Sequence, residues 1–292
     1  MKSLSEAGRK RTRWLIGVAL MLAMAAWACG PLSLNGTQQE EDGETTVVDE
    51  GAAIIFTGLN LRQYATYGAA YTLDYTGQRP DGVAVDISTS GTIQTQQDPK
   101  LVSVHSETTG TGMIQGISLL DQVSDLATLT TEVITADETV YLTASALGQS
   151  QCRSLDTNTI PVKSALDNLE LGNINIDQFT RIKPSQAPLR LELVGSETLN
   201  GLTIDHYSAV DVALGSLTSG TVDIWYLPSE KRVARLTLNG AANVPLYGSG
   251  TVDVVYDITS VNQPVSISLP SDCEPINLED LNLPDLPDLP GG

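Results

Sequence analysis

Val222-Asp223-Ile224-Trp225-Tyr226-Leu227, the link Pro228-Ser229-Glu230, and then Arg232-Val233-Ala234-Arg235-Leu236-Thr237-Leu238 form the stretch on which the fold is read. Apolar and polar residues alternate on both sides of a turn. That period of two belongs to antiparallel strands with one buried face. The same alternation, rich in Val, Ile, Thr and Tyr, marks strands over 69–76, 83–94, 101–108, 131–134, 139–144, 189–194, 203–210, 221–227, 232–238, 251–258 and 265–269. Gln78-Arg79-Pro80-Asp81-Gly82, Ala136-Asp137-Glu138 and Leu199-Asn200-Gly201 supply further turn chemistry between runs. Links this short make a meander, because parallel neighbours need long crossovers.

Two stretches follow a helical period instead. Residues 117–127 place Ile117, Leu119, Leu120, Val123 and Leu126 at helical spacing. Residues 161–171 do so again, with Thr159 as a cap and Val162, Ala165, Leu166 and Leu169 on one stripe, and 175–182 add a turn that holds Phe179. A wide antiparallel sheet has to cover its apolar face. The expected fold class is therefore α+β: a curved antiparallel sheet of about eleven strands folded around a few helices, with space between the two layers. With no composition break inside about 220 residues, 53–275 is read as a single domain.

The ends of the chain read differently. A basic head (Arg9, Lys10, Arg11, Arg13) precedes an apolar run from Trp14 to Trp27 and then Ala28-Cys29-Gly30. The run is short for a membrane span and reads as a secretory signal, residues 1–28. Ala26 and Ala28 before Cys29 resemble a bacterial lipobox, although Ala26 replaces the usual leucine and Trp27 is bulky. Lipidation of Cys29 would anchor the chain to the outer side of the bacterial cell membrane. The alternatives are a plain signal peptide cut after Ala28, or an uncleaved anchor. Residues 29–52 read as an acidic, solvated tether, and 276–292, with Pro284-Asp285-Leu286-Pro287-Asp288-Leu289-Pro290, as a disordered Pro/Asp/Leu-rich tail.

Three cysteines exist, so assigning Cys29 to lipid leaves Cys152 and Cys273 as an even pair in an oxidising compartment. A disulfide is the expectation; two unpaired thiols are the alternative. Loss of 1–28 removes five basic residues and Glu6, taking the formal charge from −19 to −23. That surface repels phosphate backbones, which excludes nucleic acid as a partner.

Gly195-Ser196-Glu197-Thr198-Leu199-Asn200-Gly201, the His206-Tyr207 pair, Trp225-Tyr226 and the closing Tyr256-Asp257-Ile258 with Asn262-Gln263-Pro264-Val265 and Pro270 together resemble the LppX/LprG-type lipoproteins of the LolA-like group. The resemblance covers the last third of the chain. It implies a half-barrel whose cavity holds acyl chains, and a role in carrying lipid or lipoprotein across the cell envelope. A related group with the same sheet restrains membrane regulators, so fold alone does not choose a function.

No catalytic signature is present: no Gly-x-Ser-x-Gly, no phosphate loop and no close-spaced histidines. His105 and His206 read as structural or surface residues, and neither a catalytic residue, a metal site nor a cofactor is expected. The acidic groups 40–42 and 279–280 lack calcium-loop spacing. The candidate cavity lining is Leu119, Leu120, Val123, Leu126, Val162, Leu166, Leu169 and Phe179 from helices, with Ile224, Leu236 and Val254 from strands. The same residues would equally fill a dry core. The leading expectation is a lipoprotein that binds acyl lipid or another apolar ligand; the alternative is an envelope interaction or sensor lipoprotein that binds a partner protein without carrying lipid.

Overall fold

The structure, a computed structural model, describes residues 52–56, 59, 61–111, 128–146, 148–156, 189–199, 202–244 and 247–275. Its strands are β1 (Ala53–Phe56), β2 (Thr66–Gln78), β3 (Ala84–Gln96), β4 (Leu101–Thr111), β5 (Leu129–Ala136), β6 (Thr139–Ala146) and β7 (Gln149–Asp156). They continue as β8 (Leu189–Leu199), β9 (Leu202–Leu214), β10 (Leu217–Leu227), β11 (Arg232–Val244), β12 (Gly248–Val261) and β13 (Glu274–Pro275). All thirteen lie in one open sheet, in the order β1-β8-β9-β10-β11-β12-β2-β3-β4-β5-β6-β7-β13. Every neighbouring pair is antiparallel except β13 and β7. Two meanders, β2 to β7 and β8 to β12, are joined where β12 pairs with β2 from Ser249↔Gln78 to Val261↔Tyr67.

This overturns the expected α+β half-barrel over helices. Among the described residues the only helix is the 3-10 turn Leu61–Gln63, and the chain there is almost entirely strand. The helical stripes at 117–127, 161–171 and 175–182 lie outside the described residues. Alternation was the correct signal, but the inference that helices must cover the face was not. Large side chains from the strands themselves fill it: Ile54, Phe56, Tyr75, Leu191, Ile224, Leu236, Leu238 and Val254 are fully buried, and all belong to one cluster. Against about eleven expected strands, the described residues hold thirteen. β1 is too short to show a period, β7 is a polar strand, and β13 is two residues long. Residues 265–269, expected as a strand, lie outside the ladder.

Tight links set the register. Asp81 accepts from the Val83 amide at 3.2 Å and Gly82 takes φ 86°, closing the β2–β3 turn. Tyr75 shows how closely the β2–β12 junction is packed. Its hydroxyl donates to the Gly248 carbonyl at 2.8 Å, and a Cβ on Gly77 would fall 2.6 Å from that hydroxyl and 2.7 Å from the Ser249 carbonyl. Only glycine fits beside the ring.

The chain leaves β12 as a strap. Ala65 donates its amide to Asn262 Oδ1 at 3.0 Å, and the Thr66 hydroxyl donates to the Gln263 carbonyl at 2.6 Å. At the far end Cys273 is disulfide-bonded to Cys152, as the cysteine count implied, and Arg153 pairs with Glu274. The strap thus runs from β2 to β7, five places along the sheet.

Two predictions follow from these contacts. Replacing both Cys152 and Cys273 by Ala opens a loop with a separation of 121 residues, and should lower the unfolding free energy in urea by about 4–5 kcal/mol. A loss under about 1 kcal/mol would show that the disulfide does not constrain the unfolded chain. Burial raises the Tyr75 phenol above its ordinary value near 10. Its contribution to stability is present below that ordinary value and is lost as pH rises through the raised folded one. Unfolding free energy should therefore fall above about pH 10, and Tyr75→Phe should flatten that alkaline limb while costing about 1 kcal/mol at neutral pH. Urea titrations at neutral and alkaline pH test both points.

Candidate functional site

Because side chains alternate across a strand, the ladder registers define rows that cross the buried face. One row runs Tyr207, Ile224, Leu236, Tyr256, Tyr71, Gly91, Ser106, Thr131 and Ala144. From Tyr207 to Tyr256 it is buried; from Tyr71 onward it is only half-buried. The adjacent row changes in the same way, from buried Val222, Leu238, Val254 and Leu73 to half-buried Thr89 and Thr108. Beyond these, Ile93, Val104, Val133 and Leu142 are buried again. The result is a half-open strip on β3, β4 and β5, bordered by apolar rows.

The strip is built from small and hydroxyl side chains. Thr89 and Thr108 hydroxyls lie 3.1 Å apart, and Ser106 and Thr131 hydroxyls 2.7 Å apart. Gly91 leaves room for the Tyr71 ring: a Cβ there would meet that ring at 2.7 Å and the His105 carbonyl at 2.3 Å. None of Tyr71, Thr89, Gly91, Ser106, Thr108, Thr131 or Ala144 is charged. This arrangement can hydrogen-bond an uncharged polar group while its borders contact hydrocarbon.

Thr95 lies on the same face, between Tyr67 and Val102 in the register. It is 5% exposed, and its hydroxyl has no hydrogen-bond partner among the described residues. Burial of an unpaired hydroxyl is unfavourable.

The opposite face carries the histidines. His206, Trp225, Arg235 and Asp257 are successive register partners on β9 to β12. The imidazole stacks on the Trp225 ring at 4.5 Å and 3°, while His206 Nε2 lies 3.0 Å from Asp223 Oδ1. Arg235 sits 5.8 Å from the Trp225 centroid and grips Asp257 through two hydrogen bonds, of 2.5 and 2.9 Å. Those hydrogen bonds raise the Arg235 guanidinium above its ordinary value. Cross-strand stacking and the hydrogen bond with Asp223 thus occupy His206 within the sheet. His105 also lies on this face, opposite Thr92 and Glu132.

Of the lining candidates, Ile224, Leu236 and Val254 are fully buried in the core cluster, where Ile224 faces Leu236. Leu119, Leu120, Val123, Leu126, Val162, Leu166, Leu169 and Phe179 lie outside the described residues, as does Cys29. Sequence reasoning missed the hydroxyl strip and Thr95. The signal was available in Thr89-Ser90-Gly91, where the alternating positions of a strand turn small and polar. Deciding which face they occupy required the register.

No protein-family model and no curated protein matches the chain. Among solved structures, a DUF1329 family protein from Desulfovibrio piger is similar at 8% identity and a TM-score of 0.17, over 71% of this chain and 89% of that one. Overlap at that level assigns neither fold nor function.

Thr95→Val keeps the side-chain shape and removes the unpaired hydroxyl, so it should raise the unfolding free energy by about 1 kcal/mol. A comparable loss in the same urea measurement would show that the hydroxyl is hydrogen-bonded after all.

Proposed function

We propose that this chain is an exported lipoprotein, held at the cell membrane through Cys29, that binds an apolar, acyl-bearing ligand on the buried face of its sheet. The observation that carries the reading is the passage of that face, within single register rows, from packed Leu236 and Val254 to half-open Ser106, Thr131 and Thr108. A ligand laid along the strip would place methylenes against the apolar borders and an uncharged polar group among the hydroxyls. Each buried methylene contributes about 0.8 kcal/mol, so one chain of ten or more offsets much of the cost of association. No bond is made or broken and no cofactor takes part.

The lipobox-like Ala26-Trp27-Ala28-Cys29, the resemblance of the last third to LppX/LprG-type lipoproteins and the Cys152–Cys273 disulfide support an exported protein. Lipid handling in the envelope is the corresponding role.

The test is native mass spectrometry of the full chain, expressed with its own leader in a bacterial host and extracted in detergent. The expected spectrum shows a covalent diacyl modification on Cys29 and one further, non-covalent acyl lipid per chain. Thr131→Leu, which fills the strip, should reduce retention of that lipid by about tenfold, the equivalent of 1.4 kcal/mol. A chain that carries no non-covalent lipid, even after incubation with phospholipids, glycolipids and acylglycerols, would overturn the binding reading.

A further inference from the structure

Among the described residues, part of β8 forms an edge of the sheet. β1 pairs with it only from Leu189 to Glu192, and the last bond on that side is the Leu193 amide donating to the Ala52 carbonyl at 2.8 Å. From there to Leu199, β8 has a strand partner on one side only among the described residues, namely β9. Residues 192–198 are exposed on both faces of the strand. Exposed apolar side chains gather here: Leu193 at 37%, Val194 at 62% and, on β9, Leu202 at 40%. A row of unpaired backbone groups beside apolar side chains is a template for another strand.

Charge selects the occupant. Glu192 and Glu197 are exposed on β8, Asp205 lies beside Ser196 at 2.5 Å, and Arg190 is paired with Glu192 at 2.9 Å. A second copy pairing edge to edge would bring Glu197 towards its own equivalent, in a chain whose formal charge is −19. The register shift between Leu193 and Gly195 further discourages a flat self-pairing. A strand that sets a basic residue beside Glu197 and an apolar one beside Val194 replaces that repulsion with attraction.

We propose that the β8 edge, residues 194–199, takes up an extended segment of a partner polypeptide in which apolar residues alternate with Lys or Arg, added as one further strand. This interaction is independent of the ligand strip, which lies on β3 to β5.

The probe is a twelve-residue peptide of alternating Val and Lys, blocked at both ends and added to the full chain. Hydrogen exchange should slow at the amides of 195–199, and a version N-methylated at alternate residues should lose the effect. Glu197→Lys should weaken binding about tenfold at low salt and leave the thermal midpoint unchanged. Binding without protection of 195–199, or equal binding of the N-methylated peptide, would overturn the proposal. So would protection already present without peptide, whether it rises with protein concentration or is released by deleting residues 30–51. The first of these would identify a second copy as the occupant, and the other the chain's own upstream segment.

Discussion

The β2–β12 ladder is the constraint on which the rest of the structure depends. Each meander can form from local hairpins, but the two become one sheet only when Tyr67–Gln78 residues find partners on β12, more than 170 positions away in the chain. Closing such a loop is entropically unfavourable and is compensated only by contacts of good quality. The junction supplies them through Leu73 against Val254, Tyr75 against Val252, and a Tyr75 hydroxyl bonded to the Gly248 carbonyl. Gly77 is part of the same solution, because the ring occupies the space that any larger residue would need.

From that junction the two halves of the sheet diverge in character. Towards β8 the buried face is continuous aliphatic and aromatic packing, with Leu236 and Ile224 fully enclosed. Towards β7 the same rows become small and hydroxylated, and the strap ending at the Cys152–Cys273 disulfide ties this half back to the end of β12. A stiff half adjoining a half-open one is a suitable platform for a ligand, since the packed rows keep the registers that align Thr89 with Thr108 and Ser106 with Thr131. On the other face, the stack of His206 on Trp225 and the Arg235–Asp257 pair lock four neighbouring strands in one register.

Much of the strand content was legible because a one-sided strand cannot avoid alternating. Ten of the eleven expected strands overlap an observed one, and within β10 Trp225 stacks on His206 while its neighbour Tyr226 packs against the core. The failures have physical causes. β1 is too short for a period to show, and β7 is a polar strand whose outer side meets only the two-residue β13. Residues 265–269 alternate like a strand but belong to the strap, where Asn262 bonding to Ala65 has already turned the chain out of the ladder. The expectation of covering helices treated the sheet as needing a second layer, and overlooked how much of the face its own aromatic residues fill.

By itself the sequence determined ten of the observed strands, that short antiparallel hairpins connect them, that Cys152 and Cys273 are an even pair once Cys29 is set aside, and that the chain is strongly anionic. Each of these depends on residue type and on neighbours a few positions away. Only the tertiary structure decided that β12 meets β2, that Thr89, Ser106, Thr108 and Thr131 share one half-open strip, and that the end of β8 has a strand partner on one side only among the described residues. Those facts depend on register between strands distant in sequence, and a shift of one residue would turn every side chain to the other face.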